Sequence, residues 1–283
     1  MDLSVVIVNW NSGNHLGCLL DSLSPLQEKL REIWVVDNAS QDSSADILIN
    51  YPDVESLFLQ ENLGFAGAAN QGIARSNSCF ILLLNPDIQI ISESVSQLYQ
   101  EMVSRIRAGI VCGSLKDRNG KSQNSFQIRP LPTWKNILSD VLFIDELQDW
   151  VFGNSQLNPS YEHTQKLVSE QPAAAAWLLR KKAWGELGGF DTRFYPAWFE
   201  DVDFCKRMQD SDWEIFYFPH LPMIHRGGLA LECLSYPTFV RIFYTNLLKY
   251  LKKHHPYFYP MLWIPVQCGM WMRRLFCADD RSV

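Results

Sequence analysis

Val5-Val6-Ile7-Val8 runs without interruption into Asn9-Trp10-Asn11-Ser12-Gly13. A short, continuous apolar run that stops at a polar cluster predicts a strand buried on both faces, as in the centre of a parallel sheet. His15 to Leu23 follows as a helix, with Leu16, Leu19, Leu20 and Leu23 on one face. Ile33-Trp34-Val35-Val36 repeats the pattern and ends at Asp37-Asn38-Ala39-Ser40. Val54 to Leu59 predicts a weaker third strand, and Leu63 to Arg75 a helix of small residues. Phe80 to Leu84 stops abruptly at Asn85-Pro86-Asp87, where proline ends the ladder. Glu93 to Arg105 reads as helix and Ile110 to Gly113 as strand.

Strands alternating with helices predict an α/β fold, Rossmann-like, with a mostly parallel central sheet flanked by helices. Ligands of such sheets bind at the carboxyl ends of the strands. The clusters Asn9–Asn11, Asp37–Ser40 and Asn85–Asp87 all follow strand ends, so they are expected along one edge of one cleft. From Asn119 to Gln171 the pattern is irregular, either an insertion shaping an acceptor cleft or an ordinary surface segment. Ala173–Arg180 then predicts a strand, Lys181–Leu187 and Glu200–Gln209 helices, Trp213–Phe218 a strand, and Thr238–Lys253 a long helix with a basic end. The expected organisation is a catalytic domain over 1–235, divided into a nucleotide-binding half (1–115) and an acceptor half (116–235). A C-terminal helix and apolar tail occupy 236–283.

Apolar residues make up 47% of the chain and charged ones 20%, which is globular and not disordered. A net charge of −6 argues against a general nucleic-acid binder. Seven irregularly spaced cysteines with no C-x-x-C pair point to scattered thiols in a reducing cytosol. The N-terminus has no basic region or long apolar core of a signal peptide and starts directly with a strand. A cytoplasmic protein is expected.

Individual motifs suggest chemistry, each beside a plainer reading. Asp37 can accept hydrogen bonds from a base or ribose, or cap a turn. Asp87 can hold a divalent ion against a diphosphate, since magnesium and manganese prefer oxygen ligands, or simply close an Asn-Pro-Asp turn. His225, ahead of Gly227 and Gly228, can reach a metal or phosphate, or be structural. Glu200, Asp201 and Asp203 open a helix behind Phe194, Tyr195, Trp198 and Phe199. Desolvation by these aromatics raises a carboxyl pKa and the helix dipole lowers it, so the sequence leaves the sign open.

Together these motifs resemble the family 2 glycosyltransferases of the GT-A fold, in particular a rhamnosyltransferase-like branch that builds bacterial cell-surface polysaccharides. The resemblance runs from Val5 to about Lys253. It rests on Val5–Asn11, Val35–Ser40, Glu61–Gly72 (Glu-Asn-Leu-Gly-Phe-Ala-Gly-Ala-Ala-Asn-Gln-Gly), Leu84–Asp87, Gly188–Asp191 and Phe199–Asp203, in that order and spacing. The resemblance implies that Asp37 binds the donor base or ribose, with Asn9 and Asn11 near the nucleotide. Asn62, Gly64, Phe65 and Asn70 would line the donor site, with Asn85 beside them. Asp87 would take the metal place of the D-x-D element, and His225 would be a second ligand to Mg2+ or Mn2+. Asp201, with Glu200 beside it, would be the general base of an inverting transfer. A nucleotide-sugar donor, with dTDP-rhamnose favoured by the branch, and a glycan or lipid-linked glycan acceptor are implied. Asn85 replaces the first carboxylate of D-x-D, Ala174 stands where a glycine is usual, and Leu229 replaces a serine. These departures bear on metal and phosphate contacts more than on the fold.

Two other classes compete. A non-catalytic nucleotide-sugar-binding protein would share the fold, but the intact Glu200-Asp201-Val202-Asp203 argues against it. A sugar nucleotidyltransferase would need a basic, glycine-rich loop after the first strand, and Asn9–Asn14 has no basic residue. No G-x-G-x-x-G follows Val8, which disfavours a dehydrogenase. At the C-terminus, Tyr257–Val266 and Cys268–Met272 are apolar, interrupted by two prolines and flanked by basic residues. This run is too broken for a spanning helix and suits peripheral contact with the inner membrane face, or packing against the domain or a second copy.

Overall fold

The computed structural model describes residues 1–123, 127–141, 170–227 and 234–276. The first half forms β1 (Leu3–Asn9), α1 (Gly13–Leu23), β2 (Glu32–Asp37), α2 (Ser44–Leu48), β3 (Glu55–Phe58), α3 (Gly64–Arg75), β4 (Phe80–Leu84), β5 (Ile88–Gln89), α4 (Ser92–Ser104) and β6 (Ala108–Lys116). The second half adds β7 (Ile128–Arg129), α5 (Trp134–Val141), β8 (Gln171–Pro172), β9 (Ala176–Arg180), α6 (Lys181–Glu186), α7 (Glu200–Gln209), β10 (Glu214–His225), α8 (Tyr236–His254) and α9 (Tyr259–Phe276).

The main sheet has the order β3-β2-β1-β4-β9-β6-β10-β5. β1 is parallel to β2 and β4, β2 to β3, and β6 to β10. β9 is inserted antiparallel between β4 and β6. β7 and β8 pair separately. The fold is therefore α/β with a mostly parallel sheet, as the alternation of runs predicts. The insertion of β9 joins both halves of the chain in one sheet.

Successive side chains of β1 serve opposite layers. Val6 and Val8 pack with Ile73 of α3, Trp177 of β9 and Phe204 of α7. Val5 and Ile7 pack with Leu16 and Leu19 of α1 and Leu98 of α4. Each fully buried side chain of this size stabilises the fold by about 1.5–3 kcal/mol. The small residues of α3 let it lie close to the sheet: a Cβ on Gly72 would stand 2.6 Å from Val6 and 2.9 Å from Val36.

Two features differ from the reading of the sequence. β10 continues past Phe218, through a register shift at Pro222, to His225, so His225 is the last residue of a strand. The prolines of the C-terminal run do not break it. Pro260 lies in the first turn of α9, where its missing N–H has no partner to lose, and the helix carries on through Pro265. Most of the expected acceptor-cleft insertion, residues 142–169, lies outside the described residues, as do Gly228 and Leu229.

Candidate functional site

The carboxyl ends of β1 and β2 stand side by side, with Asn9 in register with Asp37. Asn9 is fully buried, and its Nδ2 donates to Asp37 Oδ1 at 2.8 Å and to Ser40 Oγ at 3.2 Å. The backbone amide of Ser40 donates to Asp37 Oδ2 at 2.9 Å. Asn11, at φ 50°, gives its own amide to Ser40 Oγ and accepts from the Gln41 amide. Asn9, Asn11 and Asp37 thus form one network, in which Asn9 lies beneath Asp37 and orients it.

A second network continues along the edge. Asn38 donates through Nδ2 to Asn62 Oδ1 at 2.9 Å, and its Oδ1 accepts from the Leu63 amide at 2.8 Å. Asn62 Oδ1 also accepts from the Gly64 amide at 2.8 Å. Gly64 opens α3 with φ +72°, and a Cβ there would approach the Pro196 carbonyl oxygen to 2.7 Å. The Phe65 amide donates to that same oxygen at 2.8 Å. Only glycine fits this left-handed, crowded position. Asn70 is placed elsewhere. Its Nδ2 donates to Phe190 O, and its Oδ1 accepts from the Phe190 amide and from Trp184 Nε1. It holds the Gly189–Phe190 turn and does not join the strand-end residues.

Asn85 continues β4 through its backbone, donating to Ala175 O at 2.9 Å. Asp87 is buried and reaches His225 across the sheet, Oδ2 to Nε2 at 3.3 Å. The Gly227 amide donates to the same Oδ2 at 3.1 Å. Burial pushes the Asp87 carboxyl up, but the His225 hydrogen bond and charge and the nearby amides outweigh it, so the group sits below its ordinary range. His225 is held from behind by Gln123, with Nδ1 and Gln123 Oε1 2.7 Å apart and Gln123 Nε2 donating to His225 O at 3.0 Å. With Nδ1 held by Gln123, Nε2 is the ring nitrogen that faces Asp87: it donates to the carboxylate when protonated and offers its lone pair to a cation when it is not. Among the described residues no cluster of three or more His, Cys, Asp or Glu could hold a metal. Asp87 and His225 therefore fit a divalent ion only as a two-residue platform whose remaining positions go to diphosphate oxygens and water, as magnesium and manganese accept.

The acidic helix start is shaped by the turn before it. Trp198 and Phe199 both have positive φ, 71° and 75°. Aromatic residues rarely adopt this region, and such strain persists only where surroundings enforce it. Asn246 of α8 supplies the enforcement. Fully buried, it donates through Nδ2 to Ala197 O at 2.9 Å, Trp198 O at 3.2 Å and Tyr195 O at 3.3 Å. Lys249 braces it, donating to Asn246 Oδ1 at 2.7 Å and Arg193 O at 2.6 Å.

The three carboxylates that follow divide cleanly. Asp203 is fully buried and meets Arg207 at 2.8 Å, Lys253 at 2.6 Å and His254 at 2.7 Å. Burial raises its pKa, and these partners more than reverse that, leaving it below the ordinary range. Glu200 is buried, and its Oε2 has no hydrogen-bond partner among the described residues. Burial and then the charge of Asp201 push it well up. Asp201 is half-buried. Its Oδ1 accepts from the Val202 amide at 2.8 Å, and its Oδ2 accepts from Gln171 Nε2 at 3.3 Å. Burial raises it too, offset only in part by Arg129 and by the amides of Val202 and Ala174. Desolvation thus wins over the helix dipole at Glu200 and Asp201. An acid with a raised pKa at a helix start is equipped for proton transfer.

Gln123, Gln171 and Asn246 escaped the reading of the sequence. Asn246 had a signal: it is a polar residue beside the stripe Val240, Tyr244, Leu247, Tyr250 that α8 buries.

Comparisons with known proteins bear on the family and the fold. The N-acetylglucosaminyl-diphospho-decaprenol L-rhamnosyltransferase of Mycobacterium tuberculosis is 26% identical over 239 residues, covering 79% of this chain and 75% of that protein. The low-salt glycan biosynthesis hexosyltransferase Agl10 of Haloferax volcanii is 25% identical over 228 residues, covering 79% and 67%. Among solved structures, the mannosyltransferase PcManGT from Pyrobaculum calidifontis, in complex with GDP-Man and Mn2+, superposes with a TM-score of 0.59 at 14% identity over 98% of this chain and 72% of that one. TarS 1-349 of S. aureus in complex with UDP gives 0.56 at 17% identity, over 89% and 66%. These structures share the GT-A fold. The model of the glycosyl transferase family 2 matches residues 4–161, more than half of the 283 residues, and the chain belongs to that family.

Proposed function

We propose that the protein is an inverting glycosyltransferase that moves a sugar from a nucleoside diphosphate to a hydroxyl of a lipid-linked glycan in cell-surface polysaccharide synthesis. The observation that carries this reading is Asp201, a half-buried carboxyl with a raised pKa in the first turn of α7, just after a loop that is hydrogen-bonded through Pro196 to the start of α3. Asp37, oriented by Asn9 and Ser40, receives the ribose or base of the donor. Asn11, Asn62, Gly64 and Phe65 line the same edge. Asp201 takes the proton of the acceptor hydroxyl as its oxygen attacks the anomeric carbon. The bond from that carbon to the diphosphate oxygen breaks on the opposite face, and the nucleoside diphosphate leaves. A base so placed contributes about 10²–10⁴ in rate. Burial and the charge of Asp201 disfavour ionisation of Glu200, which limits a second charge beside the base. Asp87 and His225 would hold a divalent cation, which when bound stabilises the charge of the departing diphosphate. A lipid-linked acceptor and a rhamnose donor are supported by the mycobacterial relative's substrate and product class.

Thermal unfolding with uridine, guanosine and deoxythymidine diphosphates, each with and without manganese, tests the donor class. One nucleotide is expected to raise Tm selectively, and more so with manganese. No shift with any of them would favour a protein that no longer binds donors. Asp37→Ala is expected to weaken that nucleotide by about 10- to 100-fold, the worth of a hydrogen bond to a charged group. Isothermal titration of the variant, with Tm as a folding control, gives the answer.

A further inference from the structure

We infer that the outer face of α9 is a docking surface for an anionic lipid bilayer, on which the protein lies without crossing it. α9 has two apolar faces. Leu262 and Val266 are fully buried in the core that α8 and α5 share with it. On the other side Met261, Ile264, Cys268 and Trp271 recur at the three- and four-residue spacing of one helical stripe, and all are exposed. Met261 is 52% exposed, Ile264 63% and Trp271 61%, with Trp263 at 45% and Tyr257 at 94% beside them. A stripe of large aromatic and aliphatic side chains along a helix about 27 Å long is more than the scattered apolar residues a soluble surface carries.

Charge names the occupant. The chain as a whole is acidic, at −6, yet Tyr236 to Phe276 holds six Lys and Arg and no Asp or Glu. Lys252 and Arg274, at either end of the apolar stretch, are exposed. Lys135 of α5 is exposed as well and lies over Trp134, which stacks on Phe258 at 4.7 Å. Apolar side chains with tryptophan and tyrosine among them, flanked by more cations than acids, with Asp140 of α5 paired to Arg273, match the headgroup boundary of an anionic bilayer. A second copy of this chain would set these cations against each other. No helix among the described residues is long and apolar enough to cross a membrane, in keeping with a helix that lies in the interface plane.

Flotation of the full-length protein with vesicles tests this. Vesicles of phosphatidylcholine mixed with phosphatidylglycerol are expected to carry the protein, pure phosphatidylcholine vesicles to carry much less, and high salt to release it. The double variant Ile264→Glu/Trp271→Glu changes only exposed positions, so circular dichroism and Tm should stay as in the parent, while binding to the anionic vesicles drops about tenfold or more. No flotation with anionic vesicles, flotation matched by neutral ones, or flotation retained in the variant would overturn the assignment. A dimer of the parent that becomes monomeric in the variant would give the face to a second copy and overturn it equally. Neither donor nor acceptor is present, so the result is independent of transferase activity.

Discussion

Asp201→Asn is expected to lower turnover by about 10²–10⁴-fold, leave nucleotide affinity unchanged, and raise Tm at neutral pH. The three effects have one origin. A carboxyl whose pKa is raised by burial favours the folded state only while protonated. That contribution is present below the unfolded value and is lost as pH rises through the folded value. At neutral pH the ionised group is a burden on stability; asparagine removes the charge, its single Oδ1 keeping the Val202 amide while its Nδ2 no longer accepts from Gln171 Nε2. The same sign governs rate, since the base works only when ionised. The acid limb of kcat/KM in the parent should therefore fall above the ordinary aspartate range and be missing from the variant's residual activity. Steady-state kinetics across pH, together with thermal unfolding, measure all of this. Full activity in Asp201→Asn would remove the residue from the base role. A fall in Tm would mean that its contacts outweigh its desolvation.

Asn246→Ala should cost about 2–3 kcal/mol, or roughly 5–10 °C in Tm, because the carbonyls of the 195–198 turn lose their donor. Released from Asn246, Trp198 and Phe199 can relax towards negative φ, and the start of α7 shifts with them. A displacement near 1 Å at the base is worth about 100-fold in rate. The fall is expected mainly in kcat: the Asp37 network does not touch Asn246, and any rise in the donor KM would come through Gly64 and Phe65, which meet the turn at Pro196 O. Asn246→Asp separates donation from packing: it keeps the shape and offers no N–H, so it should fail as alanine does. Wild-type kcat in either variant would show that the turn holds itself.

The strand ends were legible because buried parallel strands leave continuous apolar runs, and polar residues at their carboxyl ends mark one edge. Asn9, Asp37 and Asp87 could thus be named from the sequence. The direction of β9 could not, because a strand buried on both faces reads alike whether parallel or antiparallel. Asn70 shows a second limit. Motif spacing puts it on the donor-side helix, but the phase of α3 turns its amide to Phe190. The sign of the Glu200 and Asp201 shifts depended on how far aromatic walls and Gln171 exclude water, which is a property of the assembled turn. Asn246 lies some fifty residues from the turn it holds, and no local pattern connects them.

The expected division at 235/236 acquires a different meaning beside the contacts of α8. Asn246 and Lys249 grip the 195–198 turn, while Lys253 and His254 pair with Asp203 within α7. The C-terminal helix is therefore one wall of the proposed active centre contributed late in the chain, and the seam between the two segments passes through the proposed site. A fragment ending before Tyr236 would be a half-built enzyme and not a minimal one. The two pieces, made separately, would be expected to recover activity only on reassembly, as in a split protein.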